Sequence, residues 1–165
     1  MKLKLMTDLC LREKTTLVNE SELSYIKSVI PDMIRIMNIE EGTGLAANQV
    51  GISKQFFIIK DNDEVKLIIN PEITELGPLS PFIEGCLSIP GTSAETQRAR
   101  HLKLKYRDEN FNEIEIEYNG LAAVAIQHEV DHLNGKLYID QLSPMKRLLT
   151  VDRHRKFLNS KGRKR

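Results

Sequence analysis

The sequence lacks several features that would place it outside the ordinary globular proteins. None of its 165 residues is tryptophan, and only Cys10 and Cys86 are cysteine. No apolar run approaches the roughly 18 residues of a membrane-spanning helix, and the first residues lack the apolar stretch of a secretory signal. Without such a signal, the cysteines are expected to be free thiols or metal ligands and not a disulfide. We therefore expect a cytoplasmic protein with no membrane partner.

The length and the charge distribution indicate one domain with an unusual C-terminal end. A chain of this length, residues 1–165, typically forms about one domain. Residues 146–165 carry nine basic side chains and one acidic side chain, whereas residues 1–145 carry 15 basic and 22 acidic ones. A basic C-terminal helix or tail at about 143–165 suggests a polyanionic partner, and a merely solvated end is the alternative.

Hydrophobic spacing predicts a mixed chain of helices and antiparallel strands. Residues 23–37 place apolar side chains at intervals of three and four, which indicates an amphipathic helix that Pro31 should kink or split. Two hairpins are predicted, at 55–60 with 65–70 and at 102–107 with 113–118. Residues 71–100 are rich in Pro, Gly, Ser and Thr, so we expect an irregular stretch suited to site residues.

Two further helices are predicted towards the C-terminus. Residues 120–133 are apolar nearly all round in their first half, so this helix should be buried. The last helix should begin at Ser143 or Pro144 and end near Leu158. Its apolar stripe is narrow, so we expect it to pack weakly on the body and to leave His154 exposed.

The strongest chemical signal is the pentapeptide His-Glu-Val-Asp-His at 128–132, on the predicted buried helix. Residues four apart lie on one face of a helix, so His128 and His132 can bind one metal ion. Glu129 lies beside the first histidine, where it can exchange a proton with an attacking water without being a ligand. Burying three ionisable side chains without a purpose would be costly, which favours a metal site over chance occurrence.

Two histidines leave such a site one protein ligand short, because catalytic metal sites usually have three. Downstream of His132 the sequence offers only His154, in the basic tail, and no glutamate. Cys86 is the better candidate, since it lies in the stretch Glu-Gly-Cys-Leu-Ser at 84–88 within the expected loop region. Apolar packing is the alternative for Cys86, and it is our expectation for Cys10.

The stretch Gly-Thr-Gly-Leu-Ala-Ala-Asn-Gln at 42–49 follows the first predicted helix. Gly42 and Gly44 permit close approach of the backbone to a ligand. The stretch is not a nucleotide-binding loop, because it has no Lys-Ser or Lys-Thr pair and no strand precedes it. The side-chain amide of Gln49 can donate a hydrogen bond to a developing oxyanion.

These stretches, at 42–49, 84–88 and 127–133, resemble in order and spacing the three signature motifs of the peptide deformylases. That family removes the formyl group from the N-terminal methionine of nascent chains. The resemblance therefore implies a metal-dependent hydrolase in a single catalytic domain. It also implies an α+β fold, in which antiparallel strands surround a buried central helix that carries the His-Glu-x-x-His motif, with N-terminal and C-terminal helices.

The resemblance implies that Cys86, His128 and His132 bind one divalent metal ion and that Glu129 is the general base and acid. A thiolate ligand suits Fe²⁺, Zn²⁺, Ni²⁺ or Co²⁺ better than Mg²⁺ or Ca²⁺. The residue types do not choose among these ions, whereas the resemblance implies Fe²⁺ as the physiological one.

The resemblance also implies roles in substrate binding. Gln49 and the backbone N–H of Leu87 would donate to the oxyanion, and the backbone of Gly44 would hold the peptide. An arginine often found after the second motif has no clear equivalent, since Ser93 stands there. The expected substrate-binding residues are Thr43, Gly44, Phe82, Leu121, Val124 and Ala125.

The expected partners are N-formyl-methionyl nascent peptides and, through the basic tail, the ribosome near its exit site; the protein is expected to be a monomer. Two other functions remain open. A zinc endopeptidase of the His-Glu-x-x-His type would need a third histidine or glutamate ligand, and a ribosome- or RNA-binding protein would have a structural metal site. Structural zinc sites usually have four Cys or His ligands. Only three good candidates occur, which favours an open catalytic site.

Overall fold

The structure, a computed structural model, describes residues 1–62 and 64–162. Asp63, in the first predicted hairpin, and residues 163–165 of the predicted basic tail lie outside the described residues. The fold is of the mixed α/β kind, and every pairing between its named strands is antiparallel. The helices and strands of the described chain are α1 (Leu23–Ile39), β1 (Gly44–Ala46), β2 (Phe56–Asp61), β3 (Glu64–Leu76), β4 (Leu79–Gly85), β5 (Ser93–Ala99), β6 (His101–Arg107), β7 (Glu113–Asn119), α2 (Gly120–Leu133) and α3 (Pro144–Gly162).

The strands form a five-stranded sheet in the order β1-β2-β3-β6-β7 and a separate pair, β4-β5. Both predicted hairpins are confirmed, since β2 pairs with β3 and β6 pairs with β7. Side chains alternate between the two faces of a strand. Phe56 and Ile58 therefore pack in the same cluster as α1, whereas Phe57 and Ile59 pack in the cluster of α2. The two helices thus lie on opposite faces of the sheet, which explains why β2 is apolar on both sides.

Helix α1 continues through Pro31 as one helix, so the predicted split does not occur. A proline inside a helix deprives the carbonyl four residues earlier of its partner. That carbonyl belongs to Lys27, and both Lys27 and Pro31 are exposed, so water can replace the lost hydrogen bond. The helix ends where the Gly42 N–H donates to the carbonyl of Met37 at 2.8 Å. The chain then enters β1.

The expectation that residues 71–100 are irregular is wrong. Strand β3 runs on to Leu76, and β4 and β5 form a paired hairpin further along this stretch. The inward face of the β4-β5 pair is polar, with Glu84, Thr96 and Arg98 buried, whereas Ile83 is 69 % exposed. This arrangement inverts the usual alternation of apolar-in and polar-out residues, so hydrophobic spacing could not reveal these strands.

Helix α3 begins at Pro144, within the predicted start, but the burial of His154 differs from the expectation. Thr150 and His154 are 4 % and 3 % exposed, and Val151 packs against the cluster that contains Ile89 and Tyr138. The prediction of an exposed His154 is therefore wrong, whereas the prediction of weak packing is confirmed, since most other side chains of α3, including Leu148 and Leu149, are exposed. None of the described helices combines the length and the apolar composition needed to cross a membrane.

Candidate active site

A cleft of about 390 Å³ opens where the start of α2 meets the segments that follow α1 and β4. His132, which is 1 % exposed, does not line this cleft. The cleft brings together all of the other residues for which the sequence predicts a role in binding or chemistry. These residues are Thr43, Gly44, Gln49, Phe82, Cys86, Leu87, Leu121, Val124, Ala125, His128 and Glu129.

Three metal-binding side chains converge at this site. One ligand atom each from Cys86, His128 and His132 lies within 4.8 Å of the other two. Cys86 follows β4 directly, and its Sγ lies 3.2 Å from Nε2 of His132. The two imidazole ring centres are 4.9 Å apart because the histidines lie one turn apart on α2. A thiolate with two imidazoles is a donor set that first-row divalent metals accept, so these residues fit a single ion.

The ring of His132 is suited to metal binding by its burial. Burial lowers the pKa of His132 well below its ordinary value, and the charge of neighbouring His128 acts in the same direction. The neutral imidazole that results is the form that binds a metal. The side-chain amide of Asn48 donates to the backbone carbonyl of His132 at 2.5 Å, which fixes this turn of α2.

Glu84 orients His128, a role that the sequence analysis did not assign. Its Oε2 lies 2.6 Å from Nδ1 of His128. Because a carboxylate can only accept, Nδ1 donates and Nε2 is left as the ligand atom. Burial alone would raise the pKa of Glu84, but hydrogen bonds and attraction from His128 and Arg98 outweigh it and lower that pKa to about 2.

Arg98 anchors this carboxylate from the neighbouring strand. Its Nε donates to Oε1 of Glu84 at 2.9 Å, and its Nη1 lies 2.7 Å from Oδ2 of Asp131 on α2. The hydroxyl of Thr96 also donates to Glu84. The sequence held one signal for Glu84, which is its position two residues before the candidate ligand Cys86. A carboxylate near a metal ligand often orients a ligating histidine. Arg98 had no such signal, because only the unexpected β4-β5 pairing brings it there.

Glu129 is a buried carboxylate without a full set of partners. It is 3 % exposed, and its Oε2 has no hydrogen-bond partner among the described residues. Burial raises the pKa of Glu129 to about 7, although attraction from His128 opposes this rise. A carboxyl group with a pKa near neutrality can both accept and release a proton, which is the property that a general base and acid needs.

Gln49 is held with its amide nitrogen towards Cys86. Its Oε1 accepts a hydrogen bond from the N–H of Ala46 at 2.8 Å, so Nε2 is the donor end that faces Cys86. Nε2 lies 3.6 Å from Sγ of Cys86 and 3.2 Å from Oγ of Ser88. Leu87 follows Cys86 directly and also lines the cleft. The side-chain amide of Gln49 and the residue Leu87 therefore both lie beside the candidate metal ligands.

The basic residues near this part of the fold are Arg98, on β5, and Arg100, which follows β5, whereas Ser93 carries no charge. Ser93 is the exposed first residue of β5, and Arg98 is turned inwards to Glu84. The guanidinium of Arg100 lies over the ring of Phe82, 5.6 Å from its centre. Since Phe82 lines the cleft, Arg100 contacts that wall through the Phe82 ring.

Comparison with known proteins shows the family of the chain. A family model described as polypeptide deformylase matches residues 1–148, which is most of the chain. The chain belongs to the peptide deformylase family. As a member of it, the chain is a hydrolase that removes the N-formyl group from nascent peptides, and the endopeptidase and RNA-binding alternatives are not favoured.

Individual peptide deformylases resemble the chain closely. The curated enzyme of Thermotoga maritima is 41 % identical over 149 residues, which cover 90 % of each chain. The crystal structure of the enzyme from Legionella pneumophila gives a TM-score of 0.90 at 38 % identity, covering 98 % of this chain and 97 % of that one. The enzyme from Acinetobacter baumannii, solved with Met-Ala-Ser bound, gives a TM-score of 0.80 at 29 % identity, covering 86 % and 98 % of the two chains.

Proposed function

We propose that the chain deformylates N-formyl-methionyl peptides at a metal site formed by Cys86, His128 and His132. The observation that carries this proposal is the convergence of their three ligand atoms within 4.8 Å, beside the buried carboxylate of Glu129. Fe²⁺ is the physiological ion in this proposal, and Zn²⁺, Ni²⁺ or Co²⁺ can replace it. When bound, such an ion supplies Lewis acidity, which makes water a nucleophile near neutral pH.

Glu129 is the general base and then the general acid. Its buried carboxylate takes a proton from the attacking water and later gives a proton to the nitrogen of the leaving peptide. The bond between the formyl carbon and that nitrogen breaks, so the products are formate and a peptide with a free amino terminus. The pKa of about 7 supports both steps, because the carboxyl group can hold or release a proton near neutral pH.

Gln49 and Leu87 stabilise the negative charge that develops on the formyl oxygen. The side-chain amide of Gln49 and the backbone N–H of Leu87 donate to this oxygen as the carbon becomes tetrahedral. One such donor contributes about 3 kcal/mol to the stability of a transition state. The hydrogen bond between Gln49 Oε1 and the N–H of Ala46 supports this role, since it keeps the donor end of the amide in place.

A second wall of the cleft binds the methionine residue of the substrate. The backbone of Gly44 holds the extended peptide. The methionine side chain of the substrate covers largely apolar groups of the cleft, which face water when no substrate is bound. Similarity to the Acinetobacter baumannii enzyme, which binds Met-Ala-Ser, supports a peptide in this cleft. The residues proposed to contact the methionine side chain are Thr43, Phe82, Leu121, Val124 and Ala125.

We further propose that residues 1–165 act as one catalytic domain, a monomer in the cytoplasm. Its central element is α2, which packs against the sheet while carrying both histidines. The charge of residues 146–165 supports the ribosome, close to its exit site, as the partner that delivers nascent peptides.

The proposal is tested by anaerobic deformylation of formyl-Met-Ala with protein loaded with Fe²⁺ or Zn²⁺. Formate release by both forms is expected, faster with Fe²⁺, and none by the metal-free protein. Acetyl-Met-Ala is the matched control and should remain intact. Failure of both loaded forms to release formate would contradict the proposal, and cleavage of internal peptide bonds would indicate an endopeptidase.

A further inference from the structure

The turn formed by residues 89–92 builds a wall of the cleft that the proposed chemistry does not use. Pro90, Gly91 and Thr92 all line the cleft, beyond Cys86. The methionine side chain is assigned to residues 43, 82, 121, 124 and 125, and the reacting formyl group to the metal ligands and Glu129. The only part of the substrate not yet assigned a contact is the peptide beyond methionine, and residues 90–92 are placed to contact it.

Helix α3 holds this turn from behind through a buried histidine. Nδ1 of His154 lies 3.0 Å from the backbone carbonyl oxygen of Pro90. Because a carbonyl oxygen can only accept, Nδ1 is the donor. His154 is 3 % exposed and Pro90 is partly buried, so loss of the imidazole would deprive the Pro90 carbonyl of this partner.

Phe157 makes a second contact, one turn further along α3. Gly91 has a φ of +80°, which favours glycine, and a Cβ atom there would overlap the ring of Phe157. The aromatic ring therefore packs directly on the backbone of the wall. The hydroxyl groups of Tyr138 and Thr92 also lie 2.8 Å apart, so the turn is held at three successive residues.

We infer that His154 and Phe157 are positioning residues that set the wall at 90–92 for the peptide that follows formyl-methionine. The inference rests on the proposed deformylase activity and deepens it, since it assigns α3 a part in recognising longer substrates. A short substrate that ends after its second residue makes few contacts with this wall. A longer peptide depends on the wall, so loosening it weakens binding of long substrates and leaves the chemical step intact.

The experiment compares formyl-Met-Ala with formyl-Met-Ala-Ser-Lys on Fe²⁺-loaded protein. For His154→Ala and Phe157→Ala we expect the KM of the longer peptide to rise about 3- to 10-fold, as loss of one hydrogen bond or one packing contact requires. The kcat for both peptides and the KM of formyl-Met-Ala should stay unchanged. His154→Asn should restore the KM, because the Asn amide nitrogen occupies the place of Nδ1.

Two variants on the exposed side of α3, Asn159→Ala and Leu148→Ala, are the matched controls and should leave both substrates unaffected. Should Phe157→Ala fail to fold, Phe157→Leu keeps an apolar side chain and is measured instead. An equal rise in KM for both peptides, a fall in kcat, no change at all, or no rescue by Asn would overturn the inference. Absence of formyl-Met-Ala turnover by the unaltered protein would instead contradict the proposed function itself.

Discussion

Gly44 leaves the space that the carboxylate of Glu129 occupies. A Cβ atom built on Gly44 would lie 2.5 Å from Oε1 of Glu129 and 2.9 Å from its carboxyl carbon. Real Cβ atoms do not approach other atoms so closely, so any larger residue at position 44 must displace the carboxylate. The backbone that is proposed to hold the peptide is thereby in direct contact with the proposed general base.

Gly44→Ala should lower deformylation of formyl-Met-Ala by about 100-fold, because a displacement of about 1 Å at a reacting group costs that much. The metal content should not change, since no ligand is touched. Gly42→Ala is the matched control: its Cβ would meet Cδ1 of Leu87 at 2.7 Å, the movable end of a side chain, so its effect should be much smaller. Equal losses in both variants would contradict the role of the Gly44–Glu129 contact.

Glu129→Gln should retain the metal and lose activity. The amide has nearly the shape of the carboxylate but cannot accept the proton of water, and proton transfer of this kind contributes about 10²- to 10⁴-fold to a rate. Metal analysis and turnover of formyl-Met-Ala on the same preparation check both parts. Substantial turnover with the metal fully bound would remove Glu129 from the mechanism.

Cys86→Ser should weaken metal binding severely, whereas Cys10→Ser should scarcely change it. The serine hydroxyl is not an anion at neutral pH, so it does not replace the thiolate. A group that merely orients a ligand contributes about 10- to 100-fold to metal affinity, and loss of a ligand should cost more. Cys10 instead places its Sγ 3.6 Å from the carbonyl of Asn48. Bound metal should also shield Cys86 from thiol reagents, and similar metal loss in both variants would contradict the ligand assignment.

Local signals in the sequence were enough to propose the metal ligands but not the groups that orient them. His128 and His132 are one helical turn apart, so a pattern of five residues specifies their geometry. Glu84 and Arg98 are 14 residues apart and meet only because β4 pairs with β5. The inward face of that pair is polar and the outward face partly apolar, so neither periodicity nor composition indicates the strands.

The burial of His154 on α3 escaped the sequence analysis for a related reason. The contacts that attach this helix are a histidine bonded to a carbonyl and a ring on a glycine, and neither adds to an apolar stripe. Hydrophobic spacing measures only burial of apolar surface. His154, in a strongly basic stretch, therefore looked like a solvated residue. By contrast, β2 and β3 are apolar on both faces, so their hairpin was predicted.

The Glu84–Arg98 network should make stability depend on pH in the acidic range. The pKa of Glu84 is lowered from 4.5 to about 2 by folding, so its contribution is complete above about pH 4.5 and is lost as the pH falls towards 2. By about pH 3.5 the loss should be about 1.4 kcal/mol. The free energy of unfolding is measured by urea denaturation without metal for the unaltered protein and for Glu84→Gln. We expect the difference between the two to become smaller as the pH falls from 6 to 3.5. A difference that stays constant over this range would contradict the role of the ionised carboxylate.

Charge reversal on α3 should weaken association with ribosomes. Arg153 and Arg155 are exposed, so their charges are available to a polyanion, whereas truncation of the helix would also remove the Phe157 contact with Gly91. The double substitution Arg153→Glu and Arg155→Glu should therefore reduce co-sedimentation with ribosomes at low salt. Binding by the unaltered protein should fall steeply as salt is added, because neutralised phosphates release counterions.

Lys27→Glu with Arg35→Glu makes the same charge change on exposed positions of α1 and should leave binding intact. If both double variants lose binding equally, net charge rather than α3 is responsible; if neither does, or if binding is insensitive to salt, the basic end is a solvated terminus and not a docking element.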